Sequence, residues 1–162
     1  MISYSMLQHP LVGDLLLVAD EHRLLRSSYL DSKLAPNLAE EWICDPTQQV
    51  LAKAISQLNQ YFQGKRGQFT VPLHIHGTEF QQKVYNLVRE VPVGATTSYA
   101  ELAAKLKMPR SARSIGAAIS KNPLLIFIPD HRVVNSNGSV GGFAGKWNRK
   151  PGLLELEKRL VS

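Results

Sequence analysis

The sequence predicts an α+β amino-terminal subdomain, a small antiparallel sheet plus one helix, followed by a mainly α, winged helix-turn-helix-like carboxy-terminal domain. Three observations carry that prediction. Short apolar runs punctuated by Pro10 and Gly13 open the chain and read as paired strands. A single long segment, Gln48 to Phe62, repeats its apolar residues at helical spacing. After residue 77 come short capped segments broken by Val91-Pro-Val-Gly94, Met108-Pro109 and Asn122-Pro123, the punctuation of short helices joined by tight turns. The division is drawn at residues 1–76 and 77–162; a length of 162 residues suits one or two small domains with a modest core.

Taken in order, Met1 to Leu7 and Asp14 to Asp20 are predicted strands, and Glu21 to Tyr29 a third after a short turn. Residues 30–47 show little periodicity and read as a loop with one short helix. In the helix from Gln48, Val50, Leu51, Ala54, Ile55, Leu58, Tyr61 and Phe62 share one face. Gly64-Lys-Arg-Gly67 ends it, and Gln68 to Ile75 is read as extended. Thr78 is placed as the N-cap of a helix burying Phe80, Val84, Leu87 and Val88. Ser98 and Glu101 form a Ser-x-x-Glu capping box for the next, with Leu102 and Leu106 inward. A third helix runs from about Ser111 to Lys121 and stops before Pro123. Leu125 to Ile128 reads as a short buried strand ended by Pro129, which has no N–H to donate.

Composition excludes several classes. No apolar run approaches the roughly 18 residues that cross a bilayer, and no basic-then-apolar leader is present, so the chain is expected to be cytoplasmic with no membrane partner. One cysteine, Cys44, rules out an internal disulfide. His74 and His76 share a strand face but lack a third ligand nearby, so no metal site and no cofactor are expected. Charge is uneven. Residues 1–76 hold six Lys/Arg against seven Asp/Glu, net −1, whereas residues 77–162 hold thirteen against six, net +7. A basic half carrying helix-turn-helix signals points to nucleic acid.

The most informative stretch is Ile126-Phe-Ile-Pro-Asp-His-Arg-Val-Val134, where an acid, an imidazole and a guanidinium follow directly on an apolar run. Charged groups at the mouth of a buried segment cost desolvation unless they are paired or used. Around it, in order, lie Thr97-Ser-Tyr-Ala-Glu-Leu-Ala103, Ser111-Ala-Arg-Ser-Ile-Gly-Ala-Ala118, Asn122-Pro123, Gly141-Gly-Phe-Ala-Gly145 and Leu153-Leu-Glu-Leu-Glu157. In that order and spacing the chain resembles the O6-alkylguanine-DNA alkyltransferase family, strongly over residues 78 to 159 and loosely over 1 to 77. Members of that family take an alkyl group from guanine onto a cysteine. One position departs: the family's Pro-Cys-His-Arg-Val stands here as Pro129-Asp130-His131-Arg132-Val133.

The resemblance implies roles residue by residue. Asp130 occupies the acceptor position, with His131 as the supporting base, Glu157 as its orienter and Asn122 holding the turn, a nucleophile–base–orienter arrangement. DNA contacts fall on Tyr99, Arg113, Ser98, Gly116, Ala117, Arg132, Lys146 and Arg149, with the small-residue helix in the minor groove and Arg113 filling the gap left by the everted base. The base pocket is implied at Tyr99, Val133, Phe143, Ala144 and Gly145. Carboxylate is a poor nucleophile beside thiolate, so ordinary alkyl transfer is expected to be absent. What remains is a lesion-binding module similar to the alkyltransferase-like proteins, a monomer whose partners are double-stranded DNA containing O6-alkylguanine and other DNA-repair factors. The alternative is a methylated-DNA–protein-cysteine methyltransferase whose acceptor cysteine has been substituted.

Overall fold

The computed structural model describes residues 1–140 and 149–161. Three strands, β1 (Ser3–His9), β2 (Gly13–Ala19) and β3 (Leu24–Tyr29), form an antiparallel meander. The β1–β2 register runs from Ser3↔Ala19 to His9↔Gly13, and Gly13 adopts φ 79°, the left-handed conformation this turn requires. A short β4 (Ile43–Cys44) adds to β1 in parallel, giving the order β3-β2-β1-β4. The sheet is therefore mixed, and residues 30–47 contribute this strand instead of a short helix. Pairing with the free edge of β1 supplies the backbone partners that a helix would otherwise have provided.

Helix α1 (Gln49–Phe62) lies on that sheet. Gln48 caps it by accepting the Leu51 N–H, while its own amide donates to the Asp20 carbonyl, so one side chain fixes both the helix start and its seat on β2. The buried stripe is Val50, Leu51, Ala54, Leu58, Tyr61 and Phe62. Residues 68–75 do not form a strand; they touch β3 through one bridge, Leu24↔Leu73, made by two hydrogen bonds of 2.8 and 2.9 Å.

The second half contains α2 (Glu79–Arg89), α3 (Tyr99–Lys105), α4 (Ala112–Ser120) and α5 (Arg149–Val161). Thr78 and Gln81 form a complete capping box for α2. At α3 only half of the predicted box forms: Ser98 accepts the Glu101 N–H, but the Glu101 carboxylate accepts from Thr97 instead. A two-residue parallel ladder joins β5 (Thr97–Ser98) to β6 (Val133–Val134), tying the entry of α3 to the segment after Pro129.

Leu125 to Ile128 is buried as expected but is not a strand. Ile126 takes φ 76°, and the Ile128 N–H donates back to Leu124 O at 2.8 Å, closing a turn. This loop docks on β3 through Ser27, which donates its N–H to Pro123 O, accepts the Leu125 N–H and gives its hydroxyl to Leu125 O. One contiguous cluster of buried side chains draws on both halves of the chain, from Leu15 and Tyr61 to Phe127 and Leu156. Among the described residues no helix is long and apolar enough to cross a membrane.

Candidate functional site

Asn122 builds the turn that delivers the site. Its Nδ2 donates to the Ile128 carbonyl and its Oδ1 accepts the Leu124 N–H, both at 2.9 Å, so one buried amide staples the ends of the loop. Pro129 then starts a single 3-10 turn, Asp130–Arg132, and sends three adjacent polar side chains in different directions.

His131 and Arg132 point inward to Glu157 on α5. The His131 Nε2 lies 2.6 Å from Glu157 Oε2, and Arg132 donates Nε to Oε1 at 2.8 Å and a terminal nitrogen to Oε2 at 3.0 Å. The Tyr61 hydroxyl, reaching across from α1, donates to Oε2 at 2.5 Å. Burial pushes the Glu157 carboxyl up, but the hydrogen bonds from His131, Arg132 and Tyr61 outweigh it and hold the carboxyl at about 2. An ionised carboxylate only accepts, so the proton of the shared bond belongs to His131 Nε2. The Nδ1 of His131 is then the free ring atom; it is buried and has no hydrogen-bond partner among the described residues.

Asp130 faces the other way, into a cavity of about 390 Å³. That volume falls inside the roughly 300–1,000 Å³ range of ligand pockets. Its walls include Tyr29 and Ser32 from the first half, Asn122 and His131 from the turn, and Arg149 and Lys150 from α5. Burial pushes the Asp130 carboxyl up, partly opposed by His131, Asn122 and Lys150. Burial pushes the Lys150 ammonium down, partly opposed by Asp130.

The DNA-contact residues divide. Arg113 and Ala117 are exposed on α4, and Tyr99 and Gly116 are half-buried beside them. Among the described residues, a Cβ on Gly116 would meet only the Tyr99 ring, at 3.9 Å, an ordinary contact. No second helix therefore requires a small residue there, and the exposed small-residue face is open. Three expectations need correction. Arg132 is 6 % exposed, with all three nitrogens engaged, the third donating to Val91 O at 2.6 Å, because an arginine beside a buried carboxylate is drawn inward. Ser98 is buried, its oxygen spent on the α3 cap. Arg149 clamps the domains instead of facing outward: it donates to both Asp31 oxygens at 3.0 Å and to Val12 O, and stacks 3.8 Å over the Tyr29 ring. Lys146, Phe143, Ala144 and Gly145 lie outside the described residues. Val133 is fully buried on β6.

Sequence reasoning missed Tyr61 and Lys150 as site residues. Tyr61 left a signal, since a hydroxyl on the buried stripe of an amphipathic helix needs a polar partner. Lys150 left none. The His74 and His76 rings lie with centroids 5.2 Å apart, tilted by 45°, and no group of three metal-ligating side chains occurs among the described residues.

Known proteins agree with this architecture. Residues 2–75 match the family described as 6-O-methylguanine DNA methyltransferase, ribonuclease-like domain. Residues 79–159 match 6-O-methylguanine DNA methyltransferase, DNA binding domain. A methylated-DNA–protein-cysteine methyltransferase of Mycobacterium leprae is 39 % identical over 150 residues, covering 93 % of this chain and 89 % of its own. One from Methanosarcina acetivorans is 34 % identical, covering 95 % and 97 %. The crystal structure of Mycobacterium tuberculosis OGT in complex with DNA superposes with a TM-score of 0.85 at 35 % identity, over 99 % of each chain. With both halves matched in order and the whole chain superposed on a solved relative, this protein belongs to the 6-O-methylguanine DNA methyltransferase family.

Proposed function

We propose that the protein recognises DNA damage: it enters the minor groove with α3 and α4, everts O6-alkylguanine into the pocket at Asp130, and holds it without taking the alkyl group. The observation that carries this reading is the contrast within one turn. The supporting network of His131, Glu157, Arg132 and Tyr61 is complete, while the residue aimed into the cavity is a carboxylate. A thiolate attacks an alkyl carbon readily and leaves a stable thioether; a carboxylate attacks poorly and would leave an ester open to water. The basic second half and the open small-residue face of α4 favour a groove partner, and a relative has been solved in complex with DNA.

The test is equilibrium affinity for an O6-methylguanine duplex against a matched unmodified duplex at one stated salt concentration. The lesion is expected to bind more tightly, with no labelled methyl group appearing on the protein. Arg113→Ala is expected to lose about 1–3 kcal/mol of lesion preference, the scale of base extrusion, while retaining salt-dependent binding to both duplexes. The completeness of the network also favours an otherwise intact alkyl-transfer machine. Asp130→Cys should accordingly take up one methyl group per protein; a variant that folds, binds the lesion and takes up none would sink that part of the reading.

A further inference from the structure

We infer that Asp130 works as a hydrogen-bond donor in its neutral acid form, reading the O6–N1 edge of the everted base and making lesion preference depend on pH. This inference rests on the proposed lesion-binding function and names the group that sets its specificity.

The argument starts from the chemistry of the two edges. Unmodified guanine carries a proton on N1 and presents a donor beside the O6 acceptor. Alkylation at O6 removes that proton, so O6 and N1 both become acceptors. An ionised carboxylate can only accept. Facing O6-alkylguanine it would set lone pair against lone pair, and it would instead favour the N1–H of undamaged guanine. A neutral carboxyl reverses the preference because it supplies one O–H donor.

The surroundings of Asp130 favour the neutral form. The Asn122 amide gives one N–H to Ile128 O and takes the Leu124 N–H on its oxygen, leaving its second N–H for one Asp130 oxygen and the other oxygen free to carry the acid proton toward the cavity. Burial in the cavity wall pushes the Asp130 carboxyl up, and this outweighs the opposing effects of His131, the Asn122 hydrogen bond and Lys150. The charged and titratable groups around it are His131 on its own turn, Lys150 and Arg149 on α5, Tyr29 and Asp31 from the β3 end, Tyr85 on α2 and Tyr99 on α3. Two of these groups are engaged elsewhere: Arg149 with Asp31, and the His131 Nε2 with Glu157. Lys150 is the competing donor, and the experiment separates it from Asp130.

The ratio of affinities for O6-methylguanine and unmodified duplex is measured from pH 5 to pH 8 at fixed salt, for the full chain and three variants. The sign follows from the acid form being the binding form. Preference is highest at low pH and falls as pH rises through the Asp130 pKa, by about threefold to tenfold for one hydrogen bond. Asp130→Asn keeps a neutral donor at every pH, so its preference should stay at the low-pH level and show only the residual titration of the other groups. Asp130→Ala should sit at the high-pH level throughout. Lys150→Met should leave the pH dependence in place. A preference that is flat or rises with pH in the unmodified chain overturns the inference. So does Asp130→Asn behaving like Asp130→Ala, or Lys150→Met abolishing the pH dependence. Loss of lesion preference in every protein at every pH would instead overturn the lesion-binding function itself.

Discussion

Glu157 shows how much one buried carboxylate can organise. It is fully buried and accepts from three side chains drawn from two separate parts of the chain, α1 and the turn after Pro129. Glu157→Gln would strand the Arg132 guanidinium without its counter-charge, and breaking a buried pair from one side costs about 3–5 kcal/mol; urea unfolding should show a loss of that size. Tyr61→Phe removes only one hydrogen bond to a charged group and should cost less, about 1.5–3 kcal/mol. The pH behaviour follows from the depressed carboxyl. Its folded value is about 2, below the ordinary 4.5, so the contribution is complete above about 4.5 and is lost as pH falls toward 2. An acid titration of the unmodified chain should therefore show stability declining in that window, and Glu157→Gln should flatten the decline. Sequence alone placed His131, Glu157 and Asn122 together through their motifs. It gave Arg132 the wrong duty because a guanidinium in a basic segment looks the same whether it faces phosphate or a buried acid.

Under the proposed function, helix α4 sets folding against binding. Glycine inside a helix costs about 0.5–1 kcal/mol relative to alanine. At Gly116 an added methyl would meet nothing among the described residues closer than Tyr99 at 3.9 Å, so their packing gives no return for that cost. Gly116→Ala is expected to raise stability by about 0.5–1 kcal/mol in thermal melts while weakening duplex binding. A gain in stability with unchanged binding would remove α4 from the groove. At this scale the sequence was most legible where apolar period was strong, as in α1, or where period and cap coincide, as in α2 with Thr78; the capping role of Gln48 was not read. It was least legible where tertiary pairing overrode the pattern. Four apolar residues at 125–128 read as a strand, yet Asn122 and the positive φ of Ile126 curl them into a loop. Ile43–Cys44 read as loop, yet the open edge of β1 recruits it.

Across the whole molecule, charge and clamp have separate positions. The excess of +7 in residues 77–162 makes affinity for any duplex fall with salt. Lys146→Ala should weaken damaged and undamaged DNA equally and reduce the slope of log affinity against log salt by about one. Arg149→Ala should leave that slope unchanged and instead cost about 1–2 kcal/mol of stability, the combined worth of a partly exposed ion pair and a cation–π contact. Composition separates a basic second half from the first, but it gives no sign of the contacts between them, because Arg149, Tyr61 and Ser27 reach across more than ninety residues of chain. The short parallel ladder of Thr97–Ser98 with Val133–Val134 has a mechanical consequence. Hydrogen-bonded backbones resist sliding past one another, so the entry of α3 and the turn bearing Asp130 are held to move as one. Under the proposed function, pressure of a groove wall on α3 would therefore be felt at the cavity, gearing the two ends of one stiff lever.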